Sequence, residues 1–331
     1  MGDESGRTGR ESADGRKDRV RFPGISYRAY EHPLALTALT AMRKIRGFDV
    51  ALKGMNAVVS EPVIRMQHVS SAIRVGPGQL RHLHEIKEEA AEILDLDDPP
   101  ELYVRGAIPG INAFTIGMKR PFIVMTPGII ELLDETELRF VLGHELGHVL
   151  SGHSLYQTMG HVLASAGGLS SIPGVGVAAE GIEAGIREWH RKSELSCDRA
   201  GLLVAQDPTA AISALMKLAA GSRIPNLNVD DFLQQAAEFE LDTTGARNRI
   251  YKFMLPSESH PILVLRAAEL DRWVRTGGYA CIVEQREYET RSDDRDTTVR
   301  ETVRGHFNAA METRRQKVSE RLARQSGRAP E

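Results

Sequence analysis

Apolar positions recur at helical spacing from Pro33 to Ile45 and again from Gln79 to Leu94, the second run entering behind Gly76-Pro77-Gly78. The period then shortens. Glu101–Arg105, Ile111–Gly117 and Pro121–Thr126 are brief, rich in β-branched and aromatic residues, and divided by Gly, Pro or Lys-Arg, which predicts strands of a small sheet. Gly117-Met-Lys-Arg120 reads as the turn joining the last two. Beyond Thr126 the helical period returns. Asp134 stands three residues before Glu137, a capping pair for a helix from Glu135 to Leu150. A second strong helix spans roughly Arg187 to Ala205 and stops before Asp207-Pro208, with others near 209–220, 229–240 and 260–275. The pattern predicts an α+β fold, mostly helical, with a small sheet beside the Glu135–Leu150 helix.

The ends carry a different pattern. Residues 1–22 hold both charge signs with almost no apolar side chains, too little to offset their ordering entropy, so they are expected to be disordered. A single domain is expected over 23–283, with N-terminal helices at 23–98 and a core at 99–283. The charged extension 284–331 includes a stretch, Thr297 to Arg324, that reads as an amphipathic helix or a solvated, partner-binding segment.

Composition narrows the class. Of 331 residues 41% are hydrophobic and 26% charged, and the formal net charge is -3, which gives no whole-chain reason to bind nucleic acid. Two cysteines exclude a disulfide framework. The first twenty residues show no apolar signal region, so the expected compartment is reducing and cytoplasmic. Residues 146–179 lack Asp, Glu, Lys and Arg, but His148, His153, His161, glycines, serines and Pro173 interrupt them. That density is below what a spanning helix requires, so the expectation is a Gly-rich excursion with no integral span, peripheral membrane contact remaining open.

The chemistry concentrates in His144-Glu145-Leu-Gly-His148. Four residues advance a helix by about 400°, so both imidazoles leave one face a turn apart and can reach one ion. Glu145 falls beside that line, placed to take a proton from metal-bound water. Leu138, Val141, Leu142, Leu146 and Val149 form an apolar flank, and Gly143 with Gly147 marks close approach by another backbone. A catalytic zinc needs a third protein ligand and an open position. His190, Glu194 and Asp198 recur every four residues on one helical face, with Gly201 on the same face. Glu194 at the centre is the expected ligand, and Asp198 can hold the second nitrogen of a ligand histidine.

The HELGH motif followed by Glu194-x-x-x-Asp198 resembles the HtpX-like and CAAX-prenyl-protease-like family of gluzincin metallopeptidases. Asn112-Ala113-Phe114 is similar to that family's strand beside the cleft, and Ser259-His260-Pro261 with Arg266 to its C-terminal motif, the likeness covering about residues 75–275. The resemblance implies a zincin-like fold and one zinc per chain on His144, His148 and Glu194. It also implies Glu145 as general base, and His260 and Asn112 as aids to substrate or transition-state binding. It favours Glu194 over His190 as third ligand. Prototype members place transmembrane helices between the two motifs, where this chain has its Gly-rich run, so it is similar to membrane-free cores.

The expected reaction is hydrolysis of peptide bonds inside a polypeptide, in quality control or processing. The substrate is expected to add as a strand at the edge Ile111–Ile116. The other reading is a silent or latent zinc-stabilised scaffold working through its charged tail. Arg266 is expected to pair with an acid near the site or to cap the last helix. Cys197 is either an inhibitory thiolate or, more simply, a small buried hydrophobe. His153 and His161 are expected to face solvent or line the cleft.

Overall fold

A computed structural model describes residues 19–45, 48, 61–108, 110–165, 179–221, 224–242 and 263–293. Four strands form one sheet: β1 (Ile73–Arg74), β2 (Glu101–Val104), β3 (Ala113–Ile116) and β4 (Phe122–Met125), in the order β1-β2-β4-β3. β2 runs parallel to β4, and β3 antiparallel to it. The Phe-Ile-Val-Met run of β4 is buried throughout, as suits an inner strand covered on both faces. β3 is left at an edge, with Ala113 opposite Met125 and Ile116 opposite Phe122.

The β3–β4 turn is pinned from outside. Gly117 adopts φ +123, and a Cβ there would lie 2.9 Å from the Arg120 carbonyl oxygen. Glu61, the first residue of a helix over Glu61–Val69, accepts from the backbone N–H groups of Met118, Lys119 and Arg120.

The helices, in chain order, are α1 (Pro33–Arg43), α2 (Glu61–Val69), α3 (Arg81–Ile93), α4 (Pro127–Leu132), α5 (Glu135–Leu150), α6 (His153–Ser165), α7 (Ala179–Ala205), α8 (Pro208–Ala220), α9 (Val229–Asp242), α10 (Leu263–Arg275) and α11 (Gly278–Val283). The α5 start is the anticipated reciprocal cap: Asp134 accepts from the Glu137 N–H and Glu137 from the Asp134 N–H, both at 2.9 Å. α5 is the central helix, buried from Glu137 to His148. That position explains its glycines. A Cβ on Gly143 would lie 2.6 Å from the Val204 side chain, one on Gly147 2.8 Å from Ala200 Cβ, and one on Gly201 2.6 Å from the Phe140 carbonyl oxygen. Small residues on both helices let α5 and α7 approach backbone to backbone.

Several expectations change. The helix expected from Arg187 begins at Ala179, and a helix, α6, occupies part of the run read as an irregular excursion. The expectation of disorder through residue 22 fails at its end, because Phe22 is fully buried and Val20 exchanges hydrogen bonds with the Gln206 side chain. The extension expected from 284 folds back onto that segment: Ser26 donates to the Glu289 carbonyl, Arg291 to that of Gly24, and Arg291 also pairs with Asp95. One buried phenylalanine among charged neighbours, and a partner segment over two hundred residues away, leave no local periodicity to read. Residues 1–18 and the stretch Thr297 to Arg324 lie outside the described residues. Among the described residues no helix is long and apolar enough to cross a membrane.

Candidate metal centre

The close approach of α5 and α7 brings three donors to one point. His144 Nε2 lies 3.2 Å from His148 Nε2 and 3.4 Å from Glu194 Oε2, while His148 Nε2 lies 3.2 Å from Glu194 Oε1. All three residues are buried. Two ligands about 2.0–2.1 Å from one tetrahedral ion stand about 3.3 Å apart, so the three atoms have the spacing of a zinc face. Two imidazole nitrogens and a carboxylate crowded this closely need a shared positive charge between them.

The surrounding groups turn the right atoms inward. Asp198 Oδ1 sits 3.0 Å from His144 Nδ1; a hydrogen bond there fixes the tautomer that leaves the Nε2 lone pair facing the trio. Arg266, from α10, donates to both Asp198 oxygens at 2.7 and 2.5 Å and to Glu194 Oε2 at 3.0 Å. Of the two roles expected for Arg266, the structure shows the first. The Gln157 amide of α6 lies 3.0 Å from His148 Nδ1, and its Oε1 is buried without a partner among the described residues. Rotated by 180°, that amide accepts the Nδ1 proton and frees Nε2 for a cation.

Electrostatics agree with a cation site. Burial alone would raise the Glu194 carboxyl, but the charges of His144 and Arg266 hold it well below its ordinary range. Asp198 is likewise held down, against burial, by Arg266. Burial depresses the His144 imidazole, yet Glu194 and Asp198 outweigh it and raise the group to about 9. Both carboxylates are thereby kept ionised, and the raised His144 reports their negative charge at its ring.

Glu145 is buried beside the trio, and the Thr115 hydroxyl of β3 donates to its Oε2 at 2.6 Å. One carboxylate oxygen is thereby fixed. A cavity of about 540 Å³ opens here, lined by His144, Glu145, His148 and Glu194, by Asn112 to Ile116 of the edge strand, and by Gln67 and His68 of α2. A smaller one of about 200 Å³ meets the same strand and is walled largely by Ile111, Ile129, Phe140, Val141, Leu218 and Leu263.

The structure therefore brings together His144, Glu145, His148, Glu194, Asp198, Arg266 and Asn112. His260 and the side chain of His161 lie outside the described residues. His190 lines the cavity with its Nδ1 3.4 Å from Glu194 Oε1, so it flanks the carboxylate and stands outside the trio. His153 is corrected: it is buried behind His148, packed on Trp189 with ring centroids 5.1 Å apart, and burial keeps its imidazole neutral. Cys197 is fully buried, the simpler of its two readings. Sequence reasoning missed Thr115 and Gln157. Thr115 is legible afterwards as the residue two positions after Ala113 and so on the same face of β3.

The profile of Peptidase family M48 matches 77–274. "Plastoglobule-localized metallopeptidase 48, chloroplastic" of Arabidopsis thaliana is 37% identical over 270 residues, 80% of this chain and 77% of that protein. A "Protease HtpX homolog" of Kineococcus radiotolerans is 31% identical over 189 residues, 48% of this chain and 61% of its own length. Another from Pseudarthrobacter chlorophenolicus is 28% identical over 228 residues, 61% and 75% respectively. No solved structure matches the chain. The plastoglobule, chloroplast location in the first name overturns the cytoplasmic expectation. Two unpaired cysteines do not single out the cytoplasm.

Proposed function

Because the chain belongs to peptidase family M48, and so is a metal-dependent enzyme hydrolysing peptide bonds, we propose that it is an endopeptidase whose metal is one zinc ion on His144, His148 and Glu194. The observation that carries this reading is the trio of donor atoms 3.2 to 3.4 Å apart, opening into a cleft with Glu145 beside it. When bound there, zinc supplies a Lewis acid that polarises the scissile carbonyl and lowers the pKa of water.

The chain's own groups do the rest. Glu145 takes the proton of the attacking water on the oxygen that Thr115 leaves free, then delivers it to the departing amine. Asp198 and Arg266 hold His144 and Glu194 in place through the step. Asn112, lining both cavities, and His260 steady the substrate as its carbonyl becomes tetrahedral. Among the described residues β3 has one side unpaired within the sheet, and a substrate lying along Ile111–Ile116 would gain main-chain hydrogen bonds there. Such binding tolerates many sequences, which suits quality control or processing.

The test compares casein cleavage by the zinc-loaded wild type and Glu145→Gln, with zinc measured on the same samples. The base variant should keep its zinc and lose about 100-fold or more in turnover. Equal rates at equal zinc would remove Glu145 from the reaction.

A further inference from the structure

Arg105 stands in the wall of the 540 Å³ cavity, just after β2. Its backbone N–H donates to the Met125 carbonyl at 2.9 Å, and Met125 pairs with Ala113. That places Arg105 at the end of the sheet where β3 begins, in the same cleft as His144, Glu145 and Glu194. Its Nε is sealed from solvent and has no hydrogen-bond partner among the described residues.

Several other arginines in this fold hold acids. Arg139 holds Glu89 and Glu135, Arg65 holds Glu101, and Arg266 holds Asp198 and Glu194. The acids lining the cavity are Glu145 and Glu194, both engaged at the metal end by Thr115, the histidines and Arg266. A guanidinium in the cleft wall with no acid beside it among the described residues can receive one from a ligand, and its planar fork matches a carboxylate. A cavity this size lies within the range of about 300–1,000 Å³ that encloses ligands.

We propose that Arg105 is the recognition point for a carboxylate on the polypeptide substrate, bound in the cleft a short distance from the cut bond. The carboxylate comes from an acidic side chain or from the peptide's C-terminus. The inference rests on the peptidase reading above and names the substrate chemistry that this cleft selects.

The test uses the full chain loaded with zinc. Fluorescent peptides carry Glu or Gln at one position at a time, and a parallel pair carries a free or amidated C-terminus. Binding is measured to Glu145→Gln protein, and cleavage to the wild type. At one position Glu should be preferred over Gln by about tenfold, the scale of one charge-assisted hydrogen bond. Arg105→Met, checked for zinc content and melting temperature, should bring that ratio to about one. Arg105→Glu should favour Lys at the same position. A preference confined to the free C-terminus would assign the carboxylate to the chain end. No preference in any pair, or a preference unchanged by both Arg105 variants, would overturn the proposal. Peptides that bind with an Arg105-dependent preference and are never cut would leave this site standing and overturn the endopeptidase reading instead.

Discussion

Two clusters of potential metal donors share His148. His144, His148 and Glu194 form one; His148, His153 and Cys197 form the other, with Cys197 Sγ 3.5 Å from His153 Nδ1. Both are buried and both are built by α5 and α7, the second with His153 of α6. They differ in charge and in access. The first contains a carboxylate held ionised by Arg266 and His144, and it faces the cleft. The second contains no carboxylate. Burial pushes the Cys197 thiol well up and the His153 imidazole well down, and neither residue lines the cavity that serves the first cluster. Proximity of donors is thus not enough for a catalytic centre. An ionised donor, a second layer of charge and an open side are also needed.

Removing the carboxylate should break the contrast most sharply. Glu194→Ala should lose nearly all zinc after mild chelation, while Cys197→Ser should retain it; metal analysis of both proteins decides. Equal losses would mean that the sulfur cluster carries the ion. Asp198→Asn keeps every proposed ligand and removes the charge behind His144, so zinc affinity should fall about 10- to 100-fold in a competitive titration. An unchanged affinity would show that Arg266 alone sustains the site. Thr115→Val removes the hydroxyl that donates to Glu145 and nearly keeps the side chain's volume. Turnover should drop about tenfold with zinc content and KM nearly unchanged, and Thr115→Ser should restore it. A fall in zinc or a rise in KM would make Thr115 a packing residue.

The first cluster was legible in sequence because helical spacing sets its two rows and the family resemblance selects Glu194 from the second. His144 and His148 are four apart, as are His190, Glu194 and Asp198, and glycines at 143, 147 and 201 announce the close crossing that joins the two rows. The reciprocal cap at Asp134 and the three strands beside the cleft were legible for the same local reason. What escaped is set by contacts between distant segments. β1, two residues long, exists only through its pairing with β2. Gln157 reaches His148 because α6 turns back over α5, and Arg105 meets the cleft because β2 lies beside β4. His153 lies just beyond the motif helix and was expected to face solvent or line the cleft, yet α7 covers it with Trp189. Periodicity reports the face a residue takes on its own element and not what the next element lays upon it.

Zinc bound by His144, His148 and Glu194 has no sulfur neighbour, and X-ray absorption at the zinc edge of the wild-type protein, loaded with one equivalent, reads that out. The spectrum should show a shell of nitrogen and oxygen neighbours at about 2.0–2.2 Å with histidine outer-shell scattering. A sulfur neighbour at about 2.3 Å would place the ion at Cys197 and contradict that ligand set.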